Sequence, residues 1–119
     1  MLPAQVPHAD AARGAGRAAL LVEALGRRPD LLLEATDDVL HQGYRAQAMP
    51  GSWDLLVALR DAGFAATVSG AGPAVLVLAE ESTLGSLDLV LDDLVGGASG
   101  WSVERPAIDT EGLRWERLA

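Results

Sequence analysis

The sequence predicts an α+β fold in which helices cover a mostly antiparallel sheet. Three observations carry this expectation. Apolar residues recur at helical spacing from Ala11 to Leu59, two short apolar segments flank a glycine turn at residues 69–73, and the stretch after Trp101 alternates apolar with polar residues. Helices therefore come first and strands later, with one helix between two strand pairs, which is the segregated order of an α+β domain.

Ala11, Ala15, Ala18, Val22 and Leu25 follow at steps of four, three, four and three, which marks one face of a first helix. Asp10 is placed to cap that helix and Gly26 to stop it. Pro29 fits the first turn of a second helix, with Leu31, Leu32, Ala35 and Val39 turned inward and Gly43 near its end. Ser52 is expected to cap a third helix that buries Leu55, Leu56 and Leu59 and stops at Gly63. Phe64 to Ser69 and Ala74 to Ala79 read as paired strands, the second apolar on both faces and so expected inside the sheet. Ser82 to Val95 forms a fourth helix halted by Gly96 and Gly97. Trp101 to Arg105 and Leu113 to Arg117 alternate as final, partly exposed strands.

The turn between the central strands, Ser69-Gly70-Ala71-Gly72-Pro73, is the most informative stretch. Small residues let another backbone or a phosphate approach more closely than side chains normally permit, and Pro73 fixes φ and removes one N–H donor. Hairpins with no ligand nearby use glycines in the same way.

Ser69 to Pro73, followed by the apolar run Ala74 to Leu78, resembles the third signature motif of the GHMP kinases. Within that superfamily the rest of the chain is most similar to the homoserine kinases. Leu2 to Ala12 resembles the approach to the first helix of their carboxy-terminal domain, and Ala15 to Val22 continues the likeness. His41-Gln42-Gly43-Tyr44-Arg45, then Met49-Pro50, resembles the family's histidine-to-arginine segment. The motifs stand in the family's order and span nearly the whole chain.

The resemblance implies a two-layer α/β sandwich of the GHMP kinase carboxy-terminal type, with residues 1–119 forming a single domain. It implies ATP-dependent phosphorylation of L-homoserine to O-phospho-L-homoserine, a step of threonine biosynthesis. ATP and Mg²⁺ are then bound mainly by an amino-terminal kinase domain absent from this chain, and a homodimer is left open. No glycine- and serine-rich phosphate loop occurs, nor a P-loop pattern ending in Gly-Lys-Ser or Gly-Lys-Thr, and the chain contains no lysine. The chain is accordingly expected to be the carboxy-terminal half of a kinase, inactive when isolated.

Composition sets outer limits. At 119 residues, half of them hydrophobic, the chain can bury a core of its own. The absence of cysteine excludes disulfides and thiolate metal sites and fits a cytoplasmic protein. No apolar run approaches the roughly 18 residues needed to span a bilayer. A net charge of −8 argues against partnership with nucleic acid or an anionic membrane surface.

Among individual residues, Arg45 suits two-point contact with a carboxylate and matches the arginine that the resemblance assigns to substrate binding. His41, four residues earlier, is expected to orient Arg45 or touch substrate, or else only to serve a helix end. By resemblance, Ser69, Gly70, Ala71 and Gly72 lie against the amino-terminal phosphate loop, which would crowd Gly70 and Gly72; the rival explanation is positive φ in a hairpin. The pairs Asp37-Asp38 and Asp92-Asp93 are each expected on a helix where one member must point to solvent, and His8 with Asp10 lacks a third ligand nearby, so no catalytic residue and no metal ligand is assigned. Trp53, Trp101 and Trp115 are expected to pack, and Gly14 departs from an asparagine common in the family. Two function classes remain open: part of a homoserine kinase or another GHMP small-molecule kinase, and a non-catalytic small-molecule-binding or assembly module of the same architecture.

Overall fold

The computed structural model describes residues 2–97 and 100–116. Helix α1 spans His8–Gly26 and starts directly after Pro7, whose carbonyl accepts the N–H groups of Asp10 and Ala11. Asp10 is therefore not the cap. It sits in the first turn, where a negative charge suits the exposed N–H groups.

The buried face of α1 also differs from the expected one. Ala24 is 1% exposed and packs with Leu20 and Leu21, whereas Val22 is 75% and Leu25 55% exposed. The helix is rich in alanine all round, so its own periodicity chooses no face; its partner does. Arg17 donates from Nη1 to the Glu34 carbonyl at 2.7 Å and meets the Glu34 carboxylate at 2.9 Å, which turns its side of α1 toward the next segment.

That segment is not one helix. A 3₁₀ turn at Pro29–Leu31 runs into α2, Leu32–Ala35, and the helix then stops. Thr36 Oγ1 donates back to the Leu32 carbonyl at 2.8 Å, and Asp38 takes the next backbone donors for itself. Its carboxylate accepts from the N–H groups of Leu40, His41 and Gln42 at 2.7, 3.1 and 3.2 Å. Such side-chain to backbone bonds compete with helix continuation, and they restart the chain as a one-turn helix α3, Gln42–Arg45.

A 3₁₀ turn at Ala46–Ala48 leads to α4, Pro50–Asp61, with proline in the first turn where its missing N–H costs nothing. Ser52 lies inside this helix, buried, and its hydroxyl donates to the Pro73 carbonyl, so it fastens α4 to the glycine turn and is not the expected cap. After Gly63, at φ +90°, strands β1 (Ala65–Val68) and β2 (Val75–Leu78) pair antiparallel, with Ala65 opposite Leu78 and Val68 opposite Val75. A 3₁₀ turn at Glu81–Thr83 precedes α5, Leu84–Val95, which starts two residues later than expected.

Alternation along the two strands feeds two cores. Ala65 and Leu78 join Ala24, Leu32 and Ala35 from α1 and α2. Ala66, Val68, Val75 and Val77 join Leu56 and Leu59 of α4 and Leu87 of α5. Arg60 ties the layers together: Nη1 donates to Thr36 Oγ1 at 3.0 Å and the Ala66 carbonyl at 2.8 Å, and Nη2 donates to the Leu33 carbonyl at 2.7 Å. Burial pushes its pKa below the usual guanidinium value.

Among the described residues β2 pairs only with β1, so it is an edge strand and not the inner strand expected. Trp101 to Arg105 and Leu113 to Glu116 form no strand, and Arg117 lies outside the described residues. Alternation alone does not make a strand; a pairing edge is required. Arg105 instead reaches back to Asp88 of α5 at 2.7 Å. No helix among the described residues is long and apolar enough to cross a membrane.

Candidate functional site

The glycine turn closes through two backbone bonds, Ser69 N–H to the Ala74 carbonyl at 2.8 Å and Gly72 N–H to the Ser69 carbonyl at 3.0 Å. Gly70 takes φ +60° and Gly72 φ +83°, values that side-chain-bearing residues rarely adopt. The two glycines differ in their surroundings. A Cβ at Gly70 would meet nothing within 4 Å, but a Cβ at Gly72 would lie 2.5 Å from Met49 Sδ and 3.3 Å from Val68 Cγ1. Within this chain, then, Gly72 is crowded by the Met49 and Val68 side chains in addition to its positive φ.

Helix α3 faces the turn. Arg45 Nη1 donates to the Gly70 carbonyl at 3.2 Å, bringing together two features that stand 25 residues apart. His41 precedes α3, and its Nδ1 lies 3.3 Å from Asp38 Oδ2. Between them Gln42 is 5% exposed, and its Oε1 accepts from Val68 N–H at 2.7 Å and Thr67 Oγ1 at 3.2 Å. Asp38, His41, Gln42, Arg45, Val68 and Gly70 line a cavity of about 240 Å³.

Of the residues singled out from the sequence, His41, Arg45 and Gly70 converge on this cavity. Ser69, Ala71 and Gly72 shape the turn beside it without lining it. Asp38 and Gln42 had no assigned role. Asp38 is half-buried and organises α3, and neither it nor Asp37 lies on a helix as expected. The signal available for Gln42 was its position inside the segment from His41 to Arg45. Gly14 lies apart, in a neighbouring apolar groove, with Leu40 Cδ1 2.6 Å from where its Cβ would stand.

Chemically, the cavity offers an arginine with further N–H donors beside an imidazole, a carboxylate and a backbone carbonyl. That set suits a small zwitterion: cation for carboxylate, acceptors for ammonium. Among the described residues no three His, Cys, Asp or Glu side chains are grouped to hold a metal ion.

Residues 16–89, which include α2 to β2 and the cavity, match the family described as GHMP kinases C terminal. The chain belongs to the GHMP kinase carboxy-terminal family. Its α+β architecture fits that membership. The chain is 52% identical to a protein named homoserine kinase from Streptomyces avermitilis over 112 residues, covering 94% of this chain and 35% of that protein. It is 50% identical to the homoserine kinase of Streptomyces coelicolor, covering 94% of this chain and 34% of that protein. Identity to the homoserine kinase of Mycolicibacterium smegmatis is also 50%, covering 97% of this chain and 35% of that protein. The chain therefore spans about 35% of the length of the curated relatives it matches.

Proposed function

We propose that this chain forms the substrate-gripping part of a homoserine kinase, which transfers the γ-phosphoryl group of ATP to the side-chain hydroxyl of L-homoserine. The observation that carries the reading is the convergence of Arg45, His41 and the Gly70 carbonyl on one small cavity. Names of the similar proteins supply the reaction; the cavity supplies a place for its acceptor.

In this reading Arg45 takes the α-carboxylate of homoserine through its remaining N–H donors while holding Gly70. The Asp38 carboxylate, though its lone pairs are taken by backbone N–H groups and His41, places negative charge beside the cavity for the ammonium group. The glycine turn leaves open space at Gly70 for a phosphate or another backbone. Phosphoryl transfer needs positioning and charge neutralisation above all, and a fixed carboxylate sets where the hydroxyl lies. In this reading ATP supplies the phosphoryl group and Mg²⁺ the charge neutralisation, both bound mainly by an amino-terminal kinase domain.

The test is a coupled ADP-release assay on the full-length protein that contains this chain, with L-homoserine offered beside other small alcohols such as mevalonate and galactose. Turnover that requires homoserine supports the reading. Turnover with another alcohol and none with homoserine replaces it with a different GHMP kinase activity.

A further inference from the structure

A one-turn helix does not hold itself in place, because the first turn of a helix costs more conformational freedom than its single bond returns. Helix α3 is such a helix, and it carries Arg45. Something outside α3 must therefore decide where the guanidinium stands. Asp38 fixes the start of α3 through backbone N–H groups, and the 3₁₀ turn Ala46–Ala48 carries its end on to α4, but neither touches the end of β1 beside the glycine turn. The fastening there is Gln42. Its side chain is buried, and its Oε1 takes the Val68 N–H and the Thr67 hydroxyl at the end of β1, immediately before the glycine turn.

We infer that Gln42 is a positioning residue for substrate binding: its amide oxygen docks α3 against the end of β1 and so sets the distance between the Arg45 guanidinium and the Gly70 carbonyl. The inference rests on the proposed role of Arg45 with homoserine and adds a residue that acts through it. Val68 lies opposite Val75 in the hairpin, and its N–H is free to point away from β2 and toward Gln42. The amide oxygen thus substitutes for a further strand at the one place where the sheet gives way to the cavity. Arg45 sits three residues on, so it moves with Gln42 as one short rigid piece.

The experiment compares four variants of the full-length protein in steady-state assays with homoserine and ATP. Gln42→Met keeps the volume and removes the acceptor. It is expected to raise the homoserine KM about fivefold to twentyfold while kcat and the ATP KM stay within about twofold. Gln42→Glu keeps an acceptor for both donors and is expected to restore the slow exchange of the Val68 amide. Thr67→Val removes only the weaker of the two bonds and is expected to raise the homoserine KM about twofold to threefold; it serves should Gln42→Met fail to fold. Hydrogen exchange at the Val68 amide should accelerate in Gln42→Met and not in Arg45→Ala. A folded Gln42→Met with unchanged homoserine KM, or one whose kcat falls in step with its folded fraction, overturns the inference while an affected Arg45→Ala keeps the substrate reading. An Arg45→Ala variant with unchanged homoserine KM overturns both.

Discussion

Arg45 is fastened to Gly70 by a hydrogen bond of 3.2 Å from Nη1 to the backbone carbonyl. The cation proposed to grip substrate is therefore already part of the glycine turn's structure. A guanidinium has five N–H donors, so one bond to the turn leaves a second edge for a carboxylate. Substrate binding and turn position are coupled through a single side chain.

Arg45→Ala in the full-length protein should raise the homoserine KM and leave ATP binding nearly unchanged. One charge-assisted contact is worth about 1.5–3 kcal/mol, or roughly ten- to more than a hundredfold. Lysine should rescue only in part, because an ammonium cannot make the two-point contact. Steady-state kinetics with both substrates varied checks this.

The 119-residue chain alone should show no homoserine-dependent ADP release above background. It contains no phosphate-loop pattern, and among its described residues no group of side chains is set to hold a metal ion. An ADP-release assay on the purified chain decides the matter; turnover would place a nucleotide site within these residues.

Gly72→Val should lower the melting temperature of the 119-residue chain sharply, whereas Gly70→Ala should lower it only modestly. Gly72 combines φ +83° with a Met49 Sδ that would stand 2.5 Å from any added Cβ, while Gly70 has the positive φ but open space. Left-handed backbone alone costs a non-glycine residue about 1–2 kcal/mol. Thermal melts of the two variants, followed by circular dichroism, should differ in that order.

Arg60→Met should destabilise the chain by about 2–3 kcal/mol, since it strands acceptors buried between α2, α4 and β1. Most of that loss should persist at high salt, because the direct partners are a hydroxyl and two carbonyls, not carboxylates. Urea titrations at low and high ionic strength measure both quantities.

Val22→Gln should change stability by less than about 0.5 kcal/mol, whereas Ala24→Leu should destabilise by about 1–3 kcal/mol through overpacking. The two positions are exposed and buried respectively, and denaturant midpoints distinguish them.

The hairpin was readable because glycine, proline and two apolar runs specify it locally, and the structure shortens each expected strand by one residue at either end. The approximate extents of α4 and α5 were readable for the same reason. The face of α1 was not, because alanine is too small to contrast with its neighbours and the core that buries Leu20, Leu21 and Ala24 is built with Leu32, Ala35 and Ala65 from other elements. Residues 36–41 hid a helix break behind Val39 and Leu40, whose apolar spacing concealed Asp38's appetite for backbone N–H groups. At the site, His41, Arg45 and the glycines were visible by motif, but Gln42 was not: a buried amide has no periodicity, and its value depends on β1 ending beside it. Alternation after Trp101 announced strands, yet these residues pair with neither strand of the sheet among the described residues.

The sheet's two-sided packing bears on how this segment can change length. Exposed turns are ordinarily where insertions and deletions are tolerated. Here Leu78 faces α1 and α2 while Val75 and Val77 face α4 and α5. Removing one residue between Ser69 and Ala74 would exchange those faces along all of β2. The turn tip is open to solvent, yet its residue count is constrained as tightly as any core position, and length variants should accumulate in the neighbouring loops instead.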